Sequence, residues 1–155
     1  MSDTRVISRH PVDLLIEEHE LLSSLLTAYE DLSPTQVREK THLINRIEDE
    51  ISRHVGTEEA LFYPTILELK DPAVHERISE VLAEHRQMET MGGDLRRLQP
   101  GASRDLAVDV LKSLVERHIS LEQREIFPQA SKLERVTINQ LGLEIEERRM
   151  REDRY

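Results

Sequence analysis

The sequence predicts an all-α protein, an up-down antiparallel four-helix bundle with an additional C-terminal helix. Apolar residues recur three and four positions apart over four long segments, which is the period of an amphipathic helix. Only 5 of the 155 residues are glycine and 3% are aromatic, so the composition does not favour a twisted sheet with tight turns. Short connections between the segments make successive helices antiparallel. The length predicts a single domain over residues 1–155.

A proline separates the first two predicted helices. The first spans about residues 11–32 and ends at Ser33, because the residue before Pro34 avoids helical geometry. The second begins near Thr35 and either ends before Pro64 or bends there. Their stripes contain Leu15, His19, Leu22 and Leu26 in the first helix, and Ile44, Ile47, Ile51, His54, Glu58 and Leu61 in the second.

Capping residues mark the start of the next two predicted helices. Asp71 caps the third, with Pro72 at its first helical position, and residues 99–101 close it. Ser103 is predicted to cap the fourth, and the bundle extends over about residues 11–133. A weaker fifth helix, at about residues 137–151, is expected to cover the bundle end or a partner subunit. The stripes contain Ile78, Leu82, His85, Met88, Gly92 and Leu95 in the third helix, and Ala107, Leu111, Leu114, His118, Leu121 and Glu125 in the fourth.

One pattern occurs twice, 64 residues apart. In residues 54–64 and 118–128 a His is followed four residues later by a Glu, nine later by an aromatic residue and ten later by a proline. A Glu-His pair also recurs, at residues 18–19 and 84–85. Each half of the chain therefore carries a lone His and then an HxxxE motif, and repetition makes chance an unlikely cause. The six residues are His19, His54, Glu58, His85, His118 and Glu122.

These six side chains fall on the apolar stripes, which predicts a buried metal centre. At ~100° per residue, each Glu lies one turn beyond its His and only ~40° round the helix, so each HxxxE motif has two side chains pointing the same way. Burying a carboxylate costs several kcal/mol, on the order of 3 or more, unless it is paired or bound to a cation. A purely hydrogen-bonded network of Glu and protonated His is the alternative, but it gives no reason for two equally spaced copies.

The remaining polar residues near the motifs are expected to have ordinary roles. His10 and His42 are predicted at the surface, and His75 lies ~15 Å along the third helix from His85, too far to share its ligand sphere. Glu18, Glu20 and Glu84 are expected in solvent beside the motifs. Glu89 could approach the centre and Glu125 is expected to face inward, each as a supporting residue rather than a ligand. The aromatic residues expected to pack the end of the bundle and exclude water are Phe62, Tyr63 and Phe127.

Composition excludes several classes of function. The chain has no cysteine, so thiolate metal sites, iron–sulfur clusters and thiol nucleophiles are absent. A net charge of -10 would repel nucleic acids and anionic membrane surfaces, so neither is an expected partner. Four charged residues near the N-terminus interrupt any signal-like apolar core, and these are Asp3, Arg5, Arg9 and Glu17. The chain has no apolar run long enough to span a bilayer. We therefore expect a cytoplasmic protein; its oligomeric state is not predicted.

The ligand types and their number favour two metal ions. Imidazole and carboxylate without thiolate suit Fe, Mn or Zn. If Glu58 and Glu122 each bridge, two imidazoles and two carboxylate oxygens reach each ion, and an oxo or hydroxo bridge adds a fifth donor. An octahedral ion then keeps an open position for a diatomic molecule or peroxide. A closed structural Zn site needs only four ligands, fewer than this set supplies.

The order of these motifs, with Tyr-Pro and Phe-Pro closing the two copies, resembles the hemerythrin-like (HHE cation-binding) family over about residues 10–133. The resemblance implies a four-helix bundle holding a non-haem diiron centre that binds O2, NO or peroxide, or responds to iron. It also implies that the ligands are the six residues named above. Two iron ions with an oxo or hydroxo bridge are therefore the expected cofactor, with Zn or Mn as possible substitutes.

The motifs depart from those of the oxygen-carrying hemerythrins at two points. Those proteins have an HxxxH pair on the third helix, whereas the residues four before and four after His85 are Val81 and Glu89. They also end in HxxxxD, whereas here Gln123 stands at that position and the acid comes one residue earlier. The more symmetric four-His set is closer to hemerythrin-like proteins linked to iron sensing, NO or peroxide handling. Ferritin-like proteins carry a repeated ExxH, which occurs here only once, at residues 39–42.

Three functions follow as hypotheses. The favoured one is a diiron protein that binds a small ligand or iron in sensing or stress response. The second is an enzyme that disproportionates peroxide at a diiron centre. The third is a metal-stabilised helical module whose output lies in its acidic surface or its fifth helix.

Overall fold

A computed structural model describes residues 8–154, which form five helices and no strand. This confirms the predicted all-α bundle with an additional C-terminal helix. Of the four charged residues on which the expectation of no signal segment rests, Asp3 and Arg5 lie outside the described residues. No helix within residues 8–154 combines the length and the apolar character needed to cross a membrane.

The first helix, α1, spans Pro11–Asp31, as predicted. His10 lies at the surface and caps it, because its Nδ1 accepts a hydrogen bond of 3.1 Å from the backbone N–H of Val12. Pro11 occupies the first turn, where a missing N–H leaves no hydrogen bond unmade. These two residues fix the start of the helix that carries His19.

The second helix, α2, does not end at Pro64. It is α-helical over Val37–Thr57, π-helical over Glu58–Phe62 and α-helical again over Tyr63–Leu67. In the π turn the N–H of Tyr63 bonds to the carbonyl of Glu58, five residues back. The wider turn lets the helix continue through a proline, which has no N–H and would crowd the preceding turn of an α-helix.

The next two helices are α3 and α4. Helix α3 spans Pro72–Arg97, and Asp71 caps it as predicted by accepting from the N–H of Ala73 at 3.0 Å. Helix α4 is α-helical over Ala102–Leu121, π-helical over Glu122–Ile126 and 3-10 helical over Phe127–Lys132.

The prediction that Ser103 caps α4 is wrong. The helix begins one residue earlier, at Ala102, and Gly101 precedes it with a φ of 145°. Glycine adopts this backbone conformation without a steric penalty, so the chain turns into the helix before Ser103.

The apolar core lies above and below the layer that carries the His and Glu side chains. One cluster includes Tyr29, Ile47 and Leu111, and the other includes Ile66 and Ile126. On α1 the buried residues Leu15 and Leu22 flank His19, four residues before it and three after. The polar layer is therefore sealed along the bundle axis by hydrocarbon on both sides.

The fifth helix, α5, spans Arg135–Glu152 and packs against α1, α2 and the first π turn. It confirms the predicted fifth helix and covers its own bundle. Leu141 and Ile145 are buried in the core. Gly142 lies so close to the segment before α1 that an added Cβ would be 2.2 Å from the carbonyl oxygen of Arg9. Only a glycine allows this approach.

Candidate metal centre

All six predicted ligands are buried at one level of the bundle. His19 lies on α1, His85 on α3, and each HxxxE pair ends the α-helical part of α2 or α4 and begins its π turn. Every one of them is 2% exposed or less. Five of them each offer a ligand atom within 4.8 Å of the others, and these are His19, His54, Glu58, His118 and Glu122.

The sixth residue, His85, borders this group rather than joining it fully. Its Nε2 lies 3.3 Å from Oε1 of Glu58, and its ring centroid is 4.7 Å from that of His118. The rings of His19 and His54 are similarly close, at 4.6 Å. The imidazoles therefore form two pairs, one from each half of the chain, with the carboxylates between them.

The Nε2 atoms of all four imidazoles point into the cluster. Oε1 of Glu58 contacts Nε2 of His54 and lies 3.5 Å from Nε2 of His118. Oε1 of Glu122 contacts Nε2 of His118, and lies 3.5 Å from that of His19 and 3.7 Å from that of His54. Each carboxylate therefore reaches imidazoles of both pairs, as a bridging ligand must.

The Nδ1 atoms all point outward, to side-chain oxygens. His54 donates to Glu18 at 2.9 Å, His19 to Gln123 at 3.0 Å and His85 to Glu59 at 3.0 Å. Nδ1 of His118 lies 3.5 Å from Oε1 of Glu84 without forming a hydrogen bond. An outer oxygen on one ring nitrogen fixes the ring and leaves the other nitrogen free to bind a metal. The outer side chains are therefore three acceptors, Glu18, Gln123 and Glu59, and one nearby carboxylate, Glu84.

The expectation that Glu18 and Glu84 are solvated is wrong. Their side chains are only 12% and 10% exposed, whereas Glu20 lies at the surface. Each precedes a ligand His, so it points about 100° round its helix from that His. In this antiparallel bundle that direction faces the neighbouring helix and its HxxxE motif, not water.

The carboxylates of Glu58 and Glu122 are buried without hydrogen bonds. Both residues are fully buried, and within residues 8–154 none of their four carboxylate oxygens has a hydrogen-bond partner. Their short contacts with imidazole nitrogens lack hydrogen-bonding geometry. A buried carboxylate without hydrogen bonds is unfavourable unless a cation compensates it. These oxygens and the inward Nε2 atoms fit metal ions as ligands.

Protons compensate the carboxylates where no metal does. Burial lowers the pKa of His54, but the charge of Glu58 and the hydrogen bond to Glu18 outweigh it and hold that pKa well above its ordinary value. The pKa of His118 is likewise held well above its ordinary value, by the charge of Glu122. Burial also raises the pKa of Glu58, but the positive charge of His54 holds it well below the ordinary range. Metal ions and protons therefore compete for this centre.

Tyr63 contributes a polar group that the sequence analysis missed. The ring stacks on His85, with centroids 5.6 Å apart, as Phe127 stacks on His19 at 5.4 Å. Its hydroxyl lies 3.3 Å from Nε2 of His85, at the centre itself. Burial and the charges of the two central carboxylates raise the pKa of Tyr63 well above its usual value. The sequence signal for this group was that the repeat has a tyrosine at residue 63 and a phenylalanine at the equivalent residue, Phe127.

The other candidates lie away from the centre. His42 is exposed, as predicted, and His75 is exposed at the start of α3. The expectation that Glu125 faces inward is wrong, because it lies beyond the start of the π turn and pairs with Arg77 at 2.6 Å at the surface. Glu89 is 38% exposed and pairs with Arg86.

Comparison with known proteins agrees with this geometry. The family model described as Hemerythrin HHE cation binding domain matches residues 10–130. The fold is similar to the crystal structure of a hemerythrin HHE cation binding domain-containing protein from Mycobacterium kansasii, with a TM-score of 0.78. The two chains are 22% identical, and the match covers 90% of this chain and 85% of that one. The search of curated proteins found no match. From the family match over most of its length, the chain belongs to the hemerythrin HHE cation-binding domain family.

Proposed function

We propose that this protein holds two iron ions between its four imidazoles and two central carboxylates. At this centre it binds a small ligand such as O2, NO or peroxide, or it responds to iron. Its role is in sensing or stress response. The observation that carries the proposal is the orientation of the side chains. All four Nε2 atoms and the four unpartnered oxygens of Glu58 and Glu122 face one another, while all four Nδ1 atoms face outer side-chain oxygens.

The ligand set favours two ions over one. His19 and His54 form one pair of imidazoles and His85 and His118 the other, with each carboxylate reaching across. Four imidazoles and two carboxylates exceed the four ligands of a closed structural Zn site. Nitrogen and oxygen ligands without thiolate suit iron, with Mn or Zn as substitutes.

The protein contributes orientation and a dry cavity. Iron, when bound, would supply a redox couple and an open coordination position for the small ligand. Phe62 and Phe127 pack edge to face at 5.4 Å beside the centre and keep water out. The outer acceptors fix the rings of His19, His54 and His85, so these imidazoles need little reorganisation when a cation binds.

Elemental analysis combined with absorption spectroscopy tests the proposal. Metal-free protein reconstituted anaerobically with ferrous iron should bind two Fe per chain. Its absorption between 300 and 400 nm should then change on adding NO or peroxide. His42→Ala and His75→Ala should bind as much iron as the unaltered protein. A colourless protein that binds no iron would contradict the proposal and favour the metal-stabilised helical module.

Tyr63 favours a second candidate function, the disproportionation of peroxide. Two molecules of hydrogen peroxide give one O2 and two waters, so protons must move between oxygen atoms within the site. The Tyr63 hydroxyl is buried at the centre, and its raised pKa keeps its proton in place as a hydrogen-bond donor.

Oxygen evolution from added peroxide separates the two functions. An enzyme should release O2 over many turnovers, and Tyr63→Phe should slow the release without lowering the iron content. The matched control is Phe127→Tyr, which should retain the rate. A reconstituted protein that releases no O2 beyond one turnover would exclude the enzyme and leave the ligand-binding function.

A further inference from the structure

We propose that the two metal positions are inequivalent, and that the ion held by His85 and His118 binds more tightly than the ion held by His19 and His54. The residues that set this difference are Glu59 and Gln123. The inference rests on the proposed function, because it concerns the ions that the centre would hold.

Glu59 and Gln123 are equivalent residues of the two halves. Each directly follows the central Glu of its HxxxE motif, and the two are separated by the same 64 residues as the motifs. Each reaches across to the lone His of the opposite pair. Glu59 on α2 accepts from Nδ1 of His85 on α3, and Gln123 on α4 accepts from Nδ1 of His19 on α1, both at 3.0 Å.

The geometry is the same but the charge differs. Glu18 beside His54 and Glu84 beside His118 are both carboxylates, and an Arg contacts each of them: Arg149 on Glu18 and Arg117 on Glu84. These outer pairs are therefore alike in charge. Of the four outer side chains beside the imidazoles, Gln123 is the neutral one.

A carboxylate strengthens the ligand in two ways. It draws the Nδ1 proton away from the ring, so Nε2 becomes a better electron-pair donor, and its negative charge stabilises the nearby cation directly. Both outer side chains beside His85 and His118 are carboxylates, one bonded to its ring and one 3.5 Å away without a hydrogen bond, whereas His19 and His54 are bonded to one amide and one carboxylate. Two negative charges therefore stabilise the ion at His85 and His118, against one at His19 and His54. Altering such outer partners typically changes metal affinity about 10- to 100-fold.

Arg86 opposes this effect without cancelling it. Its guanidinium contacts Oε1 of Glu59, while Oε2 accepts from His85. The Arg86 side chain is 59% exposed, so water screens its charge, whereas Glu59 is 26% exposed and bonds to the ring. Removing the arginine charge should therefore increase the support that Glu59 gives.

The consequence is stepwise loading. One ion remains bound over a range of free iron concentrations in which the other is exchanged. This property lets a centre respond to iron without losing its first ion.

Titration of the metal-free protein with ferrous iron tests the inference. It is done anaerobically, in competition with a chromophoric ferrous chelator. The unaltered protein should show two affinities about 10- to 100-fold apart. Gln123→Glu should raise the weaker affinity, and Glu59→Gln should lower the tighter one. Both changes are isosteric at partly or fully exposed residues, and an increase in affinity cannot result from loss of the fold.

A second measurement identifies which position fills first. With protein labelled with 15N in its His rings and one equivalent of Zn2+, the Nε2 signals of His85 and His118 should shift before those of His19 and His54. The double variant Glu59→Gln/Gln123→Glu should reverse this order. Arg86→Gln is the control for the ion pair and should widen the gap between the two affinities, because it removes the charge that opposes Glu59.

Two results would overturn the inference. One is equal affinities in the unaltered protein, and the other is an unchanged gap in both single variants. Either would leave a two-ion centre intact. Failure of the unaltered protein to bind any metal would instead overturn the proposed function.

Discussion

The same local structure occurs in both halves of the chain, at residues 54–64 and at residues 118–128. In each segment a His lies on the last α-helical turn and a Glu begins the π turn, and an aromatic residue and a proline follow. The surroundings of the two copies differ. The chain after the first proline is α-helical, over Tyr63–Leu67, and after the second it is a 3-10 helix, over Phe127–Lys132. Helix α5 contacts α1, α2 and the first π turn, so it covers mainly the first half.

The comparison shows which features the centre requires. The six buried His and Glu residues are repeated, because one displaced side chain among them would leave a buried charge uncompensated. The residues around these six are free to differ. They do so at Glu59 and Gln123, at Tyr63 and Phe127, and in the fifth helix.

Replacing the equivalent ligands His54 and His118 should have the largest effect. His54→Ala or His118→Ala should abolish binding of at least one ion and lower the free energy of unfolding by about 3–5 kcal/mol, because each leaves a buried carboxylate without its partner. Metal analysis and thermal unfolding of both variants measure this. His42→Ala and His75→Ala, which alter exposed residues, should remain within about 0.5 kcal/mol. Unchanged metal content in both ligand variants would remove these residues from the centre.

Metal affinity should fall as the pH is lowered. The raised pKa values of His54 and His118 mean that both are protonated in the metal-free fold at and somewhat above pH 6.5, the ordinary value. Each proton that the metal displaces lowers the apparent affinity by about tenfold, or 1.4 kcal/mol, per pH unit below the folded pKa. Chelator competition between pH 6 and pH 8 measures the slope. An affinity independent of pH would show that neither His is protonated before the metal binds.

Lowering the pH weakens metal binding, but protonation of these His residues should stabilise the fold of the metal-free protein. A raised folded pKa stabilises the fold fully below 6.5, the unfolded value, and this contribution is lost as the pH rises through the folded value. The lowered pKa of Glu58 stabilises the fold above 4.5, its ordinary value, and that contribution is lost as the pH falls. Thermal unfolding of the metal-free protein should therefore show a maximum between these limits.

Gly142 tests how closely α5 must pack on the first half. Gly142→Ala should lower the free energy of unfolding by about 1–3 kcal/mol, because the new Cβ would meet the backbone of Arg9 and force the helix outward. The matched control is Gly93→Ala, since within residues 8–154 no atom outside its own stretch of helix lies within 4 Å of an added Cβ there. That variant should be neutral or more stable by about 0.4–1 kcal/mol. Equal chemical denaturation curves for the two variants would show that α5 is loosely docked.

The two arginines on the outer carboxylates should differ in importance. Arg149 on α5 donates to Glu17 and Glu18 and to the carbonyl of Leu14, and is 28% exposed. Arg117 donates to Glu84 alone among the residues that the structure describes, and is 68% exposed. Arg149→Ala should cost about 1–2 kcal/mol and Arg117→Ala about 0.5 kcal/mol or less. Urea unfolding of both variants measures the difference. A larger loss of unfolding free energy in Arg117→Ala than in Arg149→Ala would contradict the view that α5 stabilises the first half.

The sequence predicted the inward side of the molecule well, for a physical reason. His54 and Glu58 are four residues apart on a buried stripe, so helical geometry alone points them the same way. The cap at Asp71 and the helix end near Ser33 likewise depend on local rules and are confirmed. These features need no knowledge of which helices are neighbours.

The outward side could not be predicted in the same way. Whether Glu18 meets water or His54 depends on the position of α2 relative to α1, which periodicity does not specify. The continuation of α2 through Pro64 depends on a π turn, whose hydrogen bond from Tyr63 to Glu58 has no strong sequence signal beyond the repeated spacing. The hydroxyl of Tyr63 was visible in the sequence, but its direction toward His85 was not.

Anomalous diffraction at the iron absorption edge, from crystals of protein reconstituted with ferrous iron, tests the central claim most directly. Two iron peaks are expected within the layer of imidazoles and carboxylates, one beside His19 and His54 and the other beside His85 and His118. A map with no peak in that layer, or with iron only at the surface, would contradict the account.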